Sequence, residues 1–112
     1  MSIQIKDYSN INFEEMASAI GLKPKHIPLL IGSFLDESVS ILTNLEDAIK
    51  NQDFDAIKSN AHSIKGSAGN LKFTEVYDMA KDMELSATDS KADFEYSLYF
   101  DAIKSSISTI PN

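Results

Sequence analysis

Phe54-Asp55-Ala56-Ile57-Lys58-Ser59-Asn60-Ala61-His62-Ser63-Ile64-Lys65-Gly66-Ser67-Ala68-Gly69-Asn70-Leu71 is the stretch whose reading decides the fold. Its apolar positions, Phe54, Ile57, Ala61, Ile64, Ala68 and Leu71, follow a 3-4-3-4-3 spacing, the signature of one buried stripe on an α-helix. With His62 set at zero and about 100° per residue, that stripe centres near ~230°. His62 therefore stands roughly 130° from the buried direction, on a flank or the outer surface. Lys58, Lys65, Gly66 and Gly69 all fall within about 60° of it.

That composition is unusual for a helix. Glycine costs roughly 1 kcal/mol against alanine in a helix interior, and here two glycines follow a histidine at four and seven residues. Gly66 and Gly69 read as clearance, giving a bulky partner access to the imidazole. Lys58 and Lys65 would let it carry an anion. The bland alternatives are a solvated histidine, ordinary outer-face lysines, and a glycine that merely caps the helix. Leu71 weighs against the cap, because the apolar period continues past Gly69.

The segment His62-Ser63-Ile64-Lys65-Gly66-Ser67-Ala68-Gly69-Asn70-Leu71 resembles the phosphoacceptor motif of histidine phosphotransfer (HPt) domains, the intermediate carriers of multistep two-component phosphorelays. The likeness extends over about residues 12–107. An acidic amphipathic helix precedes the motif, Asn51-Gln52-Asp53 forms a short loop, and a helix carrying Ala80 and Glu84 follows. One position departs from the pattern: Lys72 stands where the family usually has a glycine, and this is expected to alter the turn without disturbing the site. The resemblance implies a phosphoryl group accepted on His62 and exchanged with an aspartate of a response regulator receiver domain. It also implies an upstream hybrid histidine kinase, and Mg²⁺ carried by the receiver with no cofactor bound by this chain. Lys65, Gly66, Gly69, Lys58 and Glu84 would form the surroundings of the phosphate. Glu84 sits where some members use a polar residue to orient the histidine through its other nitrogen, although a plainly solvated glutamate is the alternative.

Composition sets the bounds. The chain has 112 residues, enough for one domain spanning 1–112 with one core. Hydrophobic content of 43% and charged content of 24% are those of an ordinary globular protein. Ten basic against 17 acidic residues leave a net charge of −7, which argues against nucleic acid or an anionic membrane as partner. No cysteine is present, so disulfides and thiolate metal sites are excluded. There is no signal-peptide pattern at Met1-Ser2-Ile3-Gln4-Ile5-Lys6 and no run near the roughly 18 apolar residues of a membrane span. A cytoplasmic, monomeric protein is expected, and the short ends suggest a stand-alone chain.

The remaining elements follow from caps and periods. Residues 1–11 read as a polar lead-in. Asn12 caps a short helix over about 13–20, ended by Gly21. A long helix over about 25–50, with Pro28 in its first turn, carries Ile27, Ile31, Phe34, Leu35, Leu42, Leu45 and Ile49. Asp53 caps the histidine helix, 54–71. Thr74 caps a fourth over 74–86, and Ser90 to Asp93 resembles a capping box for a last helix over 91–109. The expected architecture is all-α: an antiparallel up-down four-helix bundle with a short additional N-terminal helix.

Other chemistry finds no support. His26, beside Pro24 and Pro28, lacks the companions of a metal site, and facing Glu-x-x-His pairs are missing. No Walker or glycine-rich nucleotide loop occurs, and the four methionines are spaced as core filler. The chain is thus read as a carrier without catalytic machinery of its own. The competing reading is an unphosphorylated helical module that binds a receiver domain or another helical partner. Met16, Ile20 and Leu35 are the apolar candidates for the partner surface, with core packing as their alternative role.

Overall fold

The computed structural model describes residues 3–112, so the first two residues of the lead-in lie outside it. Its helices are α1 (Phe13–Ile20), α2 (Ile27–Lys50), α3 (Phe54–Asn70), α4 (Thr74–Thr88) and α5 (Tyr96–Ser108), with a 3-10 turn at Pro24–His26. No strand occurs among the described residues. Helix α3 lies against both α2 and α4, and α5 closes the ring by touching α4 and α2. This is the expected up-down bundle, 42 × 25 × 21 Å, with α1 leaning on α2 as the additional helix.

Local chemistry explains the starts. The Asn12 side chain accepts the Glu15 N–H at 3.1 Å, and Asp53 accepts the Ala56 N–H at 3.1 Å. Glu14, Glu15 and Asp55 place negative charge in those first turns, where the helix dipole favours it. Pro28 falls in the first turn of α2, where its missing N–H costs nothing.

The ends share one closure. After α1, α2, α3 and α4 the chain turns back with N–H donors of Leu22, Asp53, Phe73 and Lys91 reaching the carbonyls of Ala17, Ala48, Ala68 and Ser86 at 2.9–3.0 Å. Each closure needs one left-handed residue. Glycine supplies it once, at Gly21 (φ 75°); Gln52 (φ 48°), Lys72 (φ 63°) and Ser90 (φ 52°) supply it elsewhere. At the end of α3 the closure forms with Lys72 held in this glycine-like conformation.

Several boundaries differ from those expected. Helix α5 starts at Tyr96 rather than at 91, because Ser90 is left-handed and cannot adopt the extended conformation of an N-cap. Residues 91–95 turn instead, pinned by the Tyr96 hydroxyl donating to the Lys91 carbonyl at 2.7 Å and by Phe94 against the rings of Tyr96 and Tyr99. Helix α4 runs on to Thr88, burying Ser86 and Ala87. Thr74 is the first helical residue, and the cap position is Phe73, a fully buried ring. Helix α2 begins at Ile27, with the preceding residues in the 3-10 turn.

The core is one cluster. Ile31, Phe34 and Leu45 of α2 meet Ile57, Ala61, Ile64 and Ala68 of α3, Val76, Met79 and Met83 of α4, and Phe100, Ile103 and Ile107 of α5. The lead-in joins it too. Tyr8 is buried against Phe73, its hydroxyl donates to Glu75 at 2.8 Å, and its N–H donates to Thr109 Oγ1 at 2.8 Å. The Lys6 N–H donates to Ser106 Oγ at 2.9 Å. Residues 6–8 thus form a strap over the start of α4 and the end of α5.

Candidate functional site

His62 stands near the middle of α3 with its side chain 66% exposed, as the helical wheel requires. Its Nδ1 lies 2.8 Å from Glu84 Oε2 on α4. The other oxygen of the same carboxylate, Oε1, receives Lys65 Nζ at 2.6 Å. One turn of α3 and one residue of α4 thereby form a closed trio, made possible by the close packing of these two helices.

The electrostatics select a tautomer. Glu84 is only 15% exposed, and burial pushes its carboxyl up, but hydrogen bonds from Lys65 and then His62 outweigh this and hold it below its usual range. The Glu84 contact in turn raises Lys65. An ionised carboxylate accepts hydrogen bonds and donates none. In the neutral imidazole Nδ1 must therefore carry the proton, and the lone pair is on Nε2. Nε2 is thus the ring nitrogen that Glu84 leaves free.

The glycines play different parts. A Cβ built on Gly66 would meet nothing within 4 Å, so this position, one turn after His62, is open. Gly69 does not open a further turn. A Cβ there would lie 3.1 Å from Tyr77 Cδ2 and 3.4 Å from Cε2, so this glycine lets the Tyr77 ring approach the helix. Lys58 is exposed and borders, with Asp55, Ser59, Ser63 and Glu84, an open depression beside His62. The two lysines are thus unequal: Lys65 is already paired to a carboxylate.

Of the apolar candidates, Met16 and Ile20 lie one turn apart on the same face of α1. Ile20 lines a groove of about 330 Å³ between α1, α2 and α3, together with Leu22, Leu30, Phe34 and Leu71. Ser67 Oγ and Glu37 Oε1, 3.4 Å apart, cross its polar side. Met16 lines a separate depression with Tyr8 and Phe73. Leu35 is half-buried against the core and lies about 100° round α2 from Phe34, away from Ser33 and Glu37. His26 is exposed in the 3-10 turn, and no group of three or more potential metal ligands occurs among the described residues.

Sequence reasoning missed Tyr77 and Glu37. Tyr77 precedes Glu84 by seven residues and so shares its face of α4, a spacing that was available to be read. Glu37 reaches Ser67 only through the packing of α2 on α3, for which no local signal exists.

The sequence profile of the Hpt domain matches residues 29–110, which covers α3, α4, α5 and all but the first two residues of α2. The chain belongs to the Hpt domain family. Its members are carriers in histidine phosphotransfer, the intermediates of phosphorelays. Comparison with curated proteins gave no match, and neither did comparison with solved structures. No helix among the described residues is long and apolar enough to cross a membrane.

Proposed function

We propose that His62 is the phosphoacceptor and that the chain exchanges its phosphoryl group with an aspartate of a receiver domain. The observation that carries this reading is the pairing of a 66% exposed imidazole with a carboxylate on Nδ1, which leaves Nε2 as the accessible nucleophile. In the forward step the Nε2 lone pair attacks the phosphorus of the receiver's acyl phosphate. The P–O bond breaks, and its electrons return to the aspartate carboxylate. Mg²⁺ on the receiver would offset charge on the transferring group, as divalent metals do in phosphoryl transfer generally. Gly66 leaves the approach open, and Lys65 and Lys58 supply cations near the phosphate. A hybrid histidine kinase is the proposed upstream donor, and the carrier works as a cytoplasmic monomer. Ile20 and its groove, with Met16 one turn before it on α1, are the proposed apolar part of the docking face, and Leu35 lies farther round α2.

Incubation with a phosphorylated receiver domain and Mg²⁺ tests the reading. The label should appear on this chain and be acid-labile and alkali-stable. His62→Gln should abolish it without loss of helicity, and His26→Gln should label normally. Binding without labelling would support an adaptor instead.

A further inference from the structure

Helix α4 carries an apolar side chain that the bundle does not bury. Leu85 is 55% exposed, and it follows Glu84, whose carboxylate meets both His62 and Lys65. At about 100° per residue, Leu85 lies roughly 170° from the centre of the stripe formed by Val76, Met79, Ala80 and Met83. It points away from the core while standing one residue from the His62 contact. Lys81, one turn before Leu85, is also exposed and enters no ion pair among the described residues.

The size of a docking footprint brings this edge into play. Even a transient protein complex covers about 600 Å² of each partner, a disc roughly 28 Å across. Packed helices lie about 8–10 Å apart. A disc centred on His62 therefore extends past α3 on both sides and takes in the outer face of α4. Charge then selects the occupant. Lys58 and Lys81 flank His62 from α3 and α4, with Lys65 between them and Asp55 and Asp78 as the exposed acids nearby. A second copy docked through the same face would set these lysines against their own counterparts, on a body of net charge −7. A receiver instead brings an acyl phosphate and the carboxylates that hold Mg²⁺, an anionic surface that complements them.

We propose that Leu85 and Lys81 form the α4 edge of the docking face, so that a receiver over His62 rests on α4 as well as on the Ile20 groove. This rests on His62 being the acceptor. Leu85 supplies the apolar contact of that edge and Lys81 its charge. Neither touches the imidazole, so both act on recognition and leave the transfer step as it is.

The test uses the intact chain and a phosphorylated receiver domain that labels it. Burying the exposed half of a leucine corresponds to roughly tenfold in affinity. Leu85→Asp should thus raise the KM of transfer about tenfold and leave kcat within about twofold, with the melting temperature unchanged. Lys81→Gln should raise KM about threefold at low salt, and the effect should vanish near about 0.5 M salt. Val39→Asp is the control. Val39 is 68% exposed on α2, about 160° round that helix from Glu37, which faces α3, so this variant should transfer as the wild type does. An unchanged KM in Leu85→Asp, or equal losses in Leu85→Asp and Val39→Asp, would overturn the proposal. A fall in kcat alone would also overturn it, because Leu85 would then act through Glu84. Self-association of the wild type that Leu85→Asp abolishes, with KM unchanged, would give the edge to a second copy and overturn it too. A chain that no receiver labels would instead overturn the reading of His62, and the proposal with it.

Discussion

Gly66 and Gly69 are alike in sequence and opposite in environment, which makes them a paired experiment. In Gly66→Ala the new Cβ meets open space, so only helix propensity changes. Alanine is favoured over glycine by about 0.8–1.0 kcal/mol in a helix interior. A domain of this size should therefore melt about 4 °C higher. Gly66→Leu should be similarly stabilised, because leucine is nearly as good a helix former and the site is exposed. Its side chain, however, would project over the approach to Nε2, so phosphoryl gain from a receiver should fall at least tenfold. In Gly69→Ala the same propensity gain is opposed by the Tyr77 ring at 3.1 Å, and the melting temperature should change by less than about 2 °C. Thermal melts by circular dichroism and single-turnover transfer read both quantities. A Gly66→Leu variant that is more stable and transfers normally would refute the access argument. A Gly69→Ala variant as stabilised as Gly66→Ala would show that Tyr77 yields without cost.

Three further outcomes follow from the structure. Lys72→Gly should raise stability by about 0.5–1 kcal/mol, the left-handed strain of an L-residue less the extra unfolded-state entropy of glycine, and a urea titration checks it. Burial, then the hydrogen bond to Glu75, raises the Tyr8 hydroxyl well above the ordinary tyrosine range. Its contribution is thus fully present below the unfolded value of about 10 and is lost as pH rises above it, because the unfolded chain then gives up a proton the folded one keeps. Tyr8→Phe should cost about 1–2 kcal/mol at neutral pH and flatten that alkaline loss in melts from pH about 8 to about 11. Ile20→Asp should weaken receiver binding more than Met16→Asp does, since only Ile20 lines the groove that runs to Ser67; equal dissociation constants would move the docking face elsewhere.

What the sequence made legible was whatever is written locally. The period of Phe54 to Leu71, the caps Asn12 and Asp53, and Gly21 at the end of α1 each involve residues within a few positions of one another. The exposure of His62 followed from the same wheel. The start of α5 misled because Ser90 to Asp93 carries the residue types of a cap, whereas the closure of α4 forces Ser90 into a backbone conformation that no cap uses. Tyr8 was missed because its partners, Glu75 and Thr109, lie 67 and 101 residues away and a single aromatic in a polar segment has no period. Glu84 was placed near the histidine by resemblance alone; only the packing of α4 on α3 brings its two oxygens to His62 and Lys65. Gly69 was read by analogy with Gly66, and the ring that fills its space comes from another helix.

The position of His62 midway along α3 limits how the molecule can be used. The side chain is carried by a helix fixed on both sides by neighbours, and the ring is anchored at Nδ1, so it has one outward nitrogen and one direction of approach. With His62 as the proposed phosphoacceptor, any donor and any acceptor would come to that same nitrogen across the same face. On that reading they compete for one nitrogen, and a ternary complex with donor and acceptor both at His62 is not expected. Each transfer requires the first partner to leave before the second arrives. Flux through such a carrier is governed by its dissociation rates and by the concentrations of its rival partners, and raising one partner far above the other would slow the relay rather than speed it.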